Sequence, residues 1–317
     1  MLAIGMPTLV GIYAGNPDFG LIAAVCALWV WSSDFGSIVS DRLLDMTATL
    51  AAIVLGGVIG GLIGTRYWPE LIGLFAAAFA IGWLHNTSRA VENAGRCLGF
   101  TYVIAASLGL ADPRLILAAL GGGLWAMLVV CGDQIIRRRS MPITGTSFSL
   151  GLAKLRAGHA ADWRFGVRYA LAAAIGLGLA EHLGSSHAAW ATITSLAVMR
   201  PNEAESVTLV IERGIGTFGG VVIAWGILAL TSNAWLLGIL VAAFAFAIAP
   251  AAAWHRWARF TAITVTVLVL LDLALLNQGG DRPLLAERLY DTTMGCAIAL
   301  AATWLIFPRR WRRAEPI

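Results

Sequence analysis

The chain has 317 residues, of which 59% are hydrophobic and only 13% charged, and its mean hydropathy is +0.78. Soluble domains carry about 25% charged residues, so composition excludes a soluble globular protein and points to one embedded in a membrane. The net charge of +4 rests on 22 Lys and Arg, only one of them lysine (Lys154); the arginines gather beside apolar runs, so the basic balance reports membrane topology rather than nucleic-acid binding.

In hydrocarbon every backbone N–H and C=O must be satisfied within the segment, so continuous apolar runs near 20 residues are helices. A barrel would show alternating segments of about ten residues instead. Twelve runs follow in chain order, at 2–14, 20–32, 43–64, 70–84, 97–111, 114–136, 166–183, 187–199, 207–230, 234–250, 260–276 and 284–307. No basic region precedes the first, so no cleavable signal opens the chain. Run three opens with Asp41-Arg42-Leu43-Leu44-Asp45 and then carries Gly56, Gly57, Gly60, Gly61 and Gly64, a close-packing surface. Run six opens with Asp112-Pro113-Arg114 and is followed by Arg137-Arg138-Arg139. A stretch with Pro142, Gly145, Ser147 and Ser149 leads to Arg168 and the second set of six runs. The last run is followed by Arg309, Arg310, Arg312 and Arg313. Cys26, Cys97, Cys131 and Cys296 show no metal or redox spacing and read as small apolar residues.

Placing both arginine clusters in the cytoplasm puts 18 of the 22 cations inside and leaves Arg66, Arg114, Arg282 and Arg288 outside. The expected fold is therefore an all-α integral membrane protein of about twelve transmembrane helices in two six-helix repeats, with both termini cytoplasmic. The first membrane half spans 1–136, a cytoplasmic basic linker 137–165, the second half 166–308 and a cytoplasmic basic tail 309–317. Runs two and eight are unusually short: thirteen residues reach about 20 Å, less than the roughly 30 Å hydrocarbon core. Paired short helices at matching places in two halves point to a transport site. The bland alternative is that run eight continues past Pro201.

One pattern occurs twice. Glu212-Arg213-Gly214-Ile215-Gly216-Thr217-Phe218-Gly219-Gly220 heads run nine, and Glu287-Arg288-Leu289-Tyr290-Asp291-Thr292-Thr293-Met294-Gly295 heads run twelve. On a helix the Arg, Thr and last Gly share one stripe at i, i+4 and i+7. A guanidinium fork suits carboxylates, so Arg213 and Arg288 are candidate anion ligands, with Thr217 and Thr292 as hydroxyl donors. The competing readings are snorkelling anchors for the arginines and helix packing for the threonines. Glu212 and Glu287 would neutralise the neighbouring arginines. Arg42 and Arg114 are the expected repeat equivalents, with Thr49 and Gly121 seven residues on. Topology assigns Arg213 to the cytoplasmic side and Arg288 to the external side. Asp272, deep in run eleven, and His187, beside run eight, are the candidates for proton coupling; Asp272 reads equally as an interfacial acid paired with Arg282 or Arg288. Trp190 could stack an aromatic ligand or anchor an interface. Walker A, nucleophile-elbow and zinc-protease motifs are absent, so neither an enzyme nor a metal or other cofactor is expected.

Three stretches resemble the fusaric acid resistance family of bacterial aromatic acid exporters, which is related to plant aluminium-activated malate transporters. They are Arg168-Tyr169-Ala170-Leu171-Ala172, then His187 to Thr194 followed by Arg200-Pro201, and the Arg213…Thr217…Gly220 helix start with its echo at Arg288…Thr292…Gly295. The resemblance is clear over 165–308 and weaker over 8–136. The first run lacks the family's leading basic segment, which implies an abridged N-terminus. The resemblance implies an inner-membrane secondary transporter that exports aromatic or other organic acid anions, driven by protons, by alternating access. The rival readings are a passive organic-anion channel and a non-transporting envelope component. The expected partners are the small organic anion, membrane lipid and a second copy of the chain in a homodimer; nucleic acid is not among them.

Overall fold

The computed structural model describes residues 2–34, 39–109, 112–137, 147–157, 162–184, 189–275 and 283–307. Among these residues all regular structure is helical. The helices are α1 (Leu2–Tyr13), α2 (Pro17–Trp31), α3 (Val39–Ile63), α4 (Tyr67–Trp83), α5 (Arg89–Ser107), α6 (Pro113–Arg137), α7 (Phe148–Arg156), α8 (Trp163–His182), α9 (Ala189–Val198), α10 (Glu203–Leu230), α11 (Ala234–Trp254), α12 (Arg256–Leu275) and α13 (Pro283–Leu305). The twelve apolar runs each coincide with one helix. The thirteenth, α7, lies in the linker, where no helix was expected. It is short and polar, and packs on α3 and α5. Phe148 N donates to Asp45 Oδ1 at 2.7 Å, and Gly151 fits against Ser88 and Val91.

Among the described residues, five helices are long and apolar enough to cross a membrane: α3, α6, α10, α11 and α12. Helices α1, α2, α4 and α9 are apolar but shorter. Helices α5, α8 and α13 carry more polar residues, and their surroundings explain why. Helix α5 touches α3, α4, α7 and α9; α8 touches α4, α9 and α13; α13 touches α8, α9 and α10. A helix enclosed by protein need not be greasy all round, and its polar groups face other helices.

Neighbour relations recur between the two sets of six. Helix α1 packs on α2 and α6 as α8 packs on α9 and α13; α2 packs on α6 as α9 on α13; α3 packs on α5 and α6 as α10 packs on α12 and α13. Contacts between the sets recur as well, with α4 on α8 matched by α11 on α1, and α5 on α9 matched by α12 on α2. Each set thus lends one helix to flank the other. Helix α9 stops at Val198, and the chain turns through Met199–Asn202 before α10 begins at Glu203. Pro201 disfavours helical backbone in the residue before it, so run eight does not continue. All four cysteines are free thiols.

Candidate functional site

Helix α10 is started by Asn202, whose side chain accepts from Ala204 N at 3.1 Å, and by Glu203 and Glu205 in its first turn. This start lies four residues ahead of the apolar run. Arg213 therefore sits ten residues inside the helix, about 15 Å from its head. Helices α10 and α13 pack antiparallel: Cys296 Sγ lies 4.0 Å from Val210 O, and Arg288 is within electrostatic reach of Arg213. The two motif arginines, assigned by topology to opposite sides, thus lie within electrostatic reach of each other in the interior. Both are buried, at 6% and 5% exposure.

The two motif copies build the same device. Gly216 and Gly220 let α12 close on α10: a Cβ on Gly216 would lie 2.5 Å from Phe260 Cβ, and one on Gly220 2.6 Å from Thr264 Cβ. That approach lays the Arg213 guanidinium over the Phe260 ring, 5.1 Å from its centre. Gly295 does the same for α9. A Cβ there would run into Ala191 O and lie 2.8 Å from Thr194 Cβ. Arg288 then lies over Trp190 at 3.9 Å, a close cation–π contact. In each copy an arginine rests on an aromatic face from a neighbouring helix, and a glycine one turn beyond the motif threonine admits a threonine from that same helix.

The hydroxyls of Thr217, Thr264, Thr194 and Thr292 are buried and have no hydrogen-bond partner among the described residues. The same holds for Nε of Arg213 and for Nε and Nη1 of Arg288. Buried donors are nearly always paired, because an unpaired one forfeits its hydration. Two guanidiniums held near each other add mutual repulsion that an anion between them would cancel. The chemistry these groups share is recognition of a small anion with an apolar or aromatic body.

The remaining expected residues fall elsewhere. Glu212 does not neutralise Arg213; it pairs with Arg256 on α12, at 2.9 Å. The acid beside Arg288 is Asp291, buried one turn along α13, rather than Asp272, which is half-buried on α12. His187, and Arg282 as a partner for Asp272, lie outside the described residues. Arg42 is buried but held by both carboxylate oxygens of Asp34. Arg114 is exposed, and nothing stands within 4 Å of a Cβ on Gly121; it is Gly122 that meets the backbone of Ala23 on α2. The expected repeat equivalents therefore do not occupy the places that Arg213 and Arg288 take. The close-contact glycines of α3 are Gly56 and Gly60, against α5. Gly122, not Gly121, matches Gly295, and Gly60, not Thr49, matches Gly220. A three-residue motif is too short to set register between degenerate copies, whereas backbone contact does so unambiguously.

Phe260, Thr264, Thr194 and Asp291 were not singled out by sequence. Phe260 and Thr264 stand one turn apart, but the signal that they oppose Gly216 and Gly220 exists only in the helix pairing.

A family profile described as fusaric acid resistance protein-like matches residues 147–302. This second half of the chain belongs to the fusaric acid resistance-like family. Inner membrane protein YccS of Escherichia coli (strain K12) is 33% identical over 157 residues, 47% of this chain. The chain spans only 20% of that relative's length. No solved structure matches the chain. The protein is an all-helical membrane protein with a fusaric acid resistance-like half, and both motif copies, Trp190 and Arg168 lie inside the matched segment.

Proposed function

We propose that this protein is an inner-membrane secondary transporter that exports organic acid anions, aromatic ones among them, by alternating access and at the expense of a proton gradient. The observation that carries the reading is the arginine pair: Arg213 and Arg288, buried and close together, each on an aromatic ring, with unpaired donors beside them. Arg213, Arg288, Thr217 and Thr292 would hold the carboxylate, and Trp190 would border the ring of an aromatic substrate. Thr194 and Thr264 join them as hydroxyl donors. Asp272 and His187 stay the candidates for proton coupling, and Asp291 joins them because it neighbours Arg288.

The recurring neighbour relations support twelve crossings in two parallel six-helix repeats. The arginine distribution supports cytoplasmic termini. A passive channel would string its arginines along an open conduit; a pair gathered in one buried place fits a binding site that opens to one side at a time.

The test is uptake of radiolabelled benzoate and of aliphatic carboxylates into proteoliposomes, with and without an imposed proton gradient. Uptake should follow the gradient and saturate. Large unitary currents that ignore the gradient would make the protein a channel. Transport of none of these acids, by folded protein, would favour the envelope-component reading.

A further inference from the structure

A second arginine cluster lies at the end of the bundle formed by the C-termini of α4 and α9 and the N-termini of α5, α10 and α12, the end that the arginine-rich loops assign to the cytoplasm. Its centre is Glu92 on α5. Arg96 Nη1 lies 2.8 Å from Glu92 Oε1, and Arg200 Nη1 lies 4.0 Å from the same oxygen. His85 Nδ1 stands 3.5 Å from Oε2. None of these four side chains is more than a fifth exposed. Tyr169 of α8 forms the floor, its hydroxyl donating to Leu196 O at 2.8 Å and its ring within reach of the charges of Arg96, Arg200 and Glu92. Arg259 of α12 is exposed at the same end and lies within electrostatic reach of Arg96.

Ordinary helix chemistry accounts for part of this. Glu92 and Arg96 are an i,i+4 pair. Arg200 caps the end of α9, donating from Nη1 to Ala197 O at 3.1 Å and to Met199 O at 2.8 Å. Neither explains why two arginines and a histidine from three elements converge on one enclosed carboxylate. The other acid in reach, Glu205, sits at the rim, half exposed and 3.8 Å from Arg200 Nε. The cluster thus draws Arg96, Arg200 and His85 together on Glu92. It also leads to the deeper pair: Arg259 is followed by Phe260, the ring beneath Arg213. Arg200 ends the short helix that presents Trp190 to Arg288.

We propose that Arg96 and Arg200, with the exposed Arg259 beside them, form a loading site for a carboxylate at this mouth, and that Glu92 occupies it as a tethered stand-in until a substrate anion displaces it. Displacement exchanges one carboxylate for another on the same guanidiniums, so the cluster's charge is conserved when the anion arrives and Glu92 turns outward. It also frees Arg200, and with it the end of α9, from α5. The inference rests on the anion-transport reading and adds to it a second site and a competition between a side chain and the ligand.

The test is benzoate binding to purified full-length protein at constant ionic strength, read by calorimetry and by the shift in thermal midpoint. Glu92→Gln keeps the side chain's shape and removes the competing charge. Affinity should rise about tenfold, the size of one charge-assisted contact, and benzoate should raise the midpoint of this variant more than that of the wild type. Arg200→Ala added to Glu92→Gln should abolish the gain. If Glu92→Gln does not fold, Glu92→Asp, which withdraws the carboxylate by one methylene, should show the same direction with a smaller gain. Unchanged affinity on neutralising Glu92, a gain that survives Arg200→Ala, or a loss of stability that benzoate does not restore would each overturn the proposal and leave Glu92 a structural partner. Arg213→Ala separates the two readings: it should stop uptake while sparing the gain from Glu92→Gln. Uptake that survives Arg213→Ala would sink the deep site alone.

Discussion

The two six-helix sets share a scaffold and differ in what lies at its contacts. Gly56 and Gly60 meet α5 as Gly216 and Gly220 meet α12, and Gly122 meets the backbone of α2 as Gly295 meets that of α9. Three residues before Gly56 stands Ile53, 2% exposed, where Arg213 precedes Gly216. Seven residues before Gly122 stands Leu115, where Arg288 precedes Gly295. Around these contacts the first set is apolar, built on Met46, Leu50, Ile53, Ala119 and Val130. Around the matching contacts the second set buries Arg213 and Arg288 together with Thr194, Thr217, Thr264 and Thr292. The glycines therefore belong to the scaffold, since both sets need close approach. The cations set the two apart, since at these contacts only the second set carries them and the first set's buried Arg42 is held by Asp34.

The comparison breaks most directly at the arginines. Arg213→Ala and Arg288→Ala should each lower carboxylate uptake in proteoliposomes by about a hundredfold, the loss of a charged contact of roughly 3 kcal/mol. Ile53→Ala should leave uptake per folded molecule intact and lower only the thermal midpoint. Equal uptake in wild type and both arginine variants would remove the site from α10 and α13.

The glycines should behave alike in both sets. Gly295→Val and Gly56→Val each drive a side chain into backbone, at Ala191 and Leu98, and should destabilise by about 3 kcal/mol, read in thermal unfolding. Gly121→Ala meets open space and should be neutral. A destabilised Gly121→Ala would mean that the packing register is off by one residue.

Acid should act at the Glu92 cluster. Burial first of all pushes His85 down to about 4, with Arg200 and Arg96 adding to the effect and Glu92 opposing it. The folded protein keeps this ring neutral, whereas an unfolded chain takes up a proton near 6.5. Between these values the unfolded state binds more protons, so the stabilisation is present above about 6.5 and is lost as pH falls toward 4. Melting midpoints should drop over that window, on the order of 2 kcal/mol in stability, and His85→Gln should flatten the profile. An identical profile in wild type and variant would assign the acid sensitivity elsewhere.

The threonines should show the smallest effect. Thr194→Val and Thr264→Val remove hydroxyls with no partner among the described residues, so stability should hold or rise slightly. KM for a carboxylate should rise about fivefold, the worth of one neutral hydrogen bond of about 1 kcal/mol. A fall in stability without a change in KM would make these residues packing groups only.

Much of this protein was legible in its residues. Charge content and unbroken apolar runs dictate membrane helices, because lipid offers backbone groups no partner outside their own segment. The doubled motif marked Arg213, Arg288 and their glycines, since helical spacing alone sets them on one stripe. Other features depend on which helices touch. That α10 begins at Glu203 and runs antiparallel to α13 brings two arginines together that topology had set apart. That Phe260 and Trp190 lie beneath them, and that Thr264 and Thr194 fill the glycine notches, follows from contacts between residues dozens of positions apart. The same holds for Glu92, an unremarkable helix pair by spacing, which gathers Arg200 and His85 only when α4, α5 and α9 end side by side. Local periodicity is written into a chain because each helix must satisfy its own backbone. Partnership between helices is decided by shape and by small residues that admit a neighbour, and these act only once the helices are assembled.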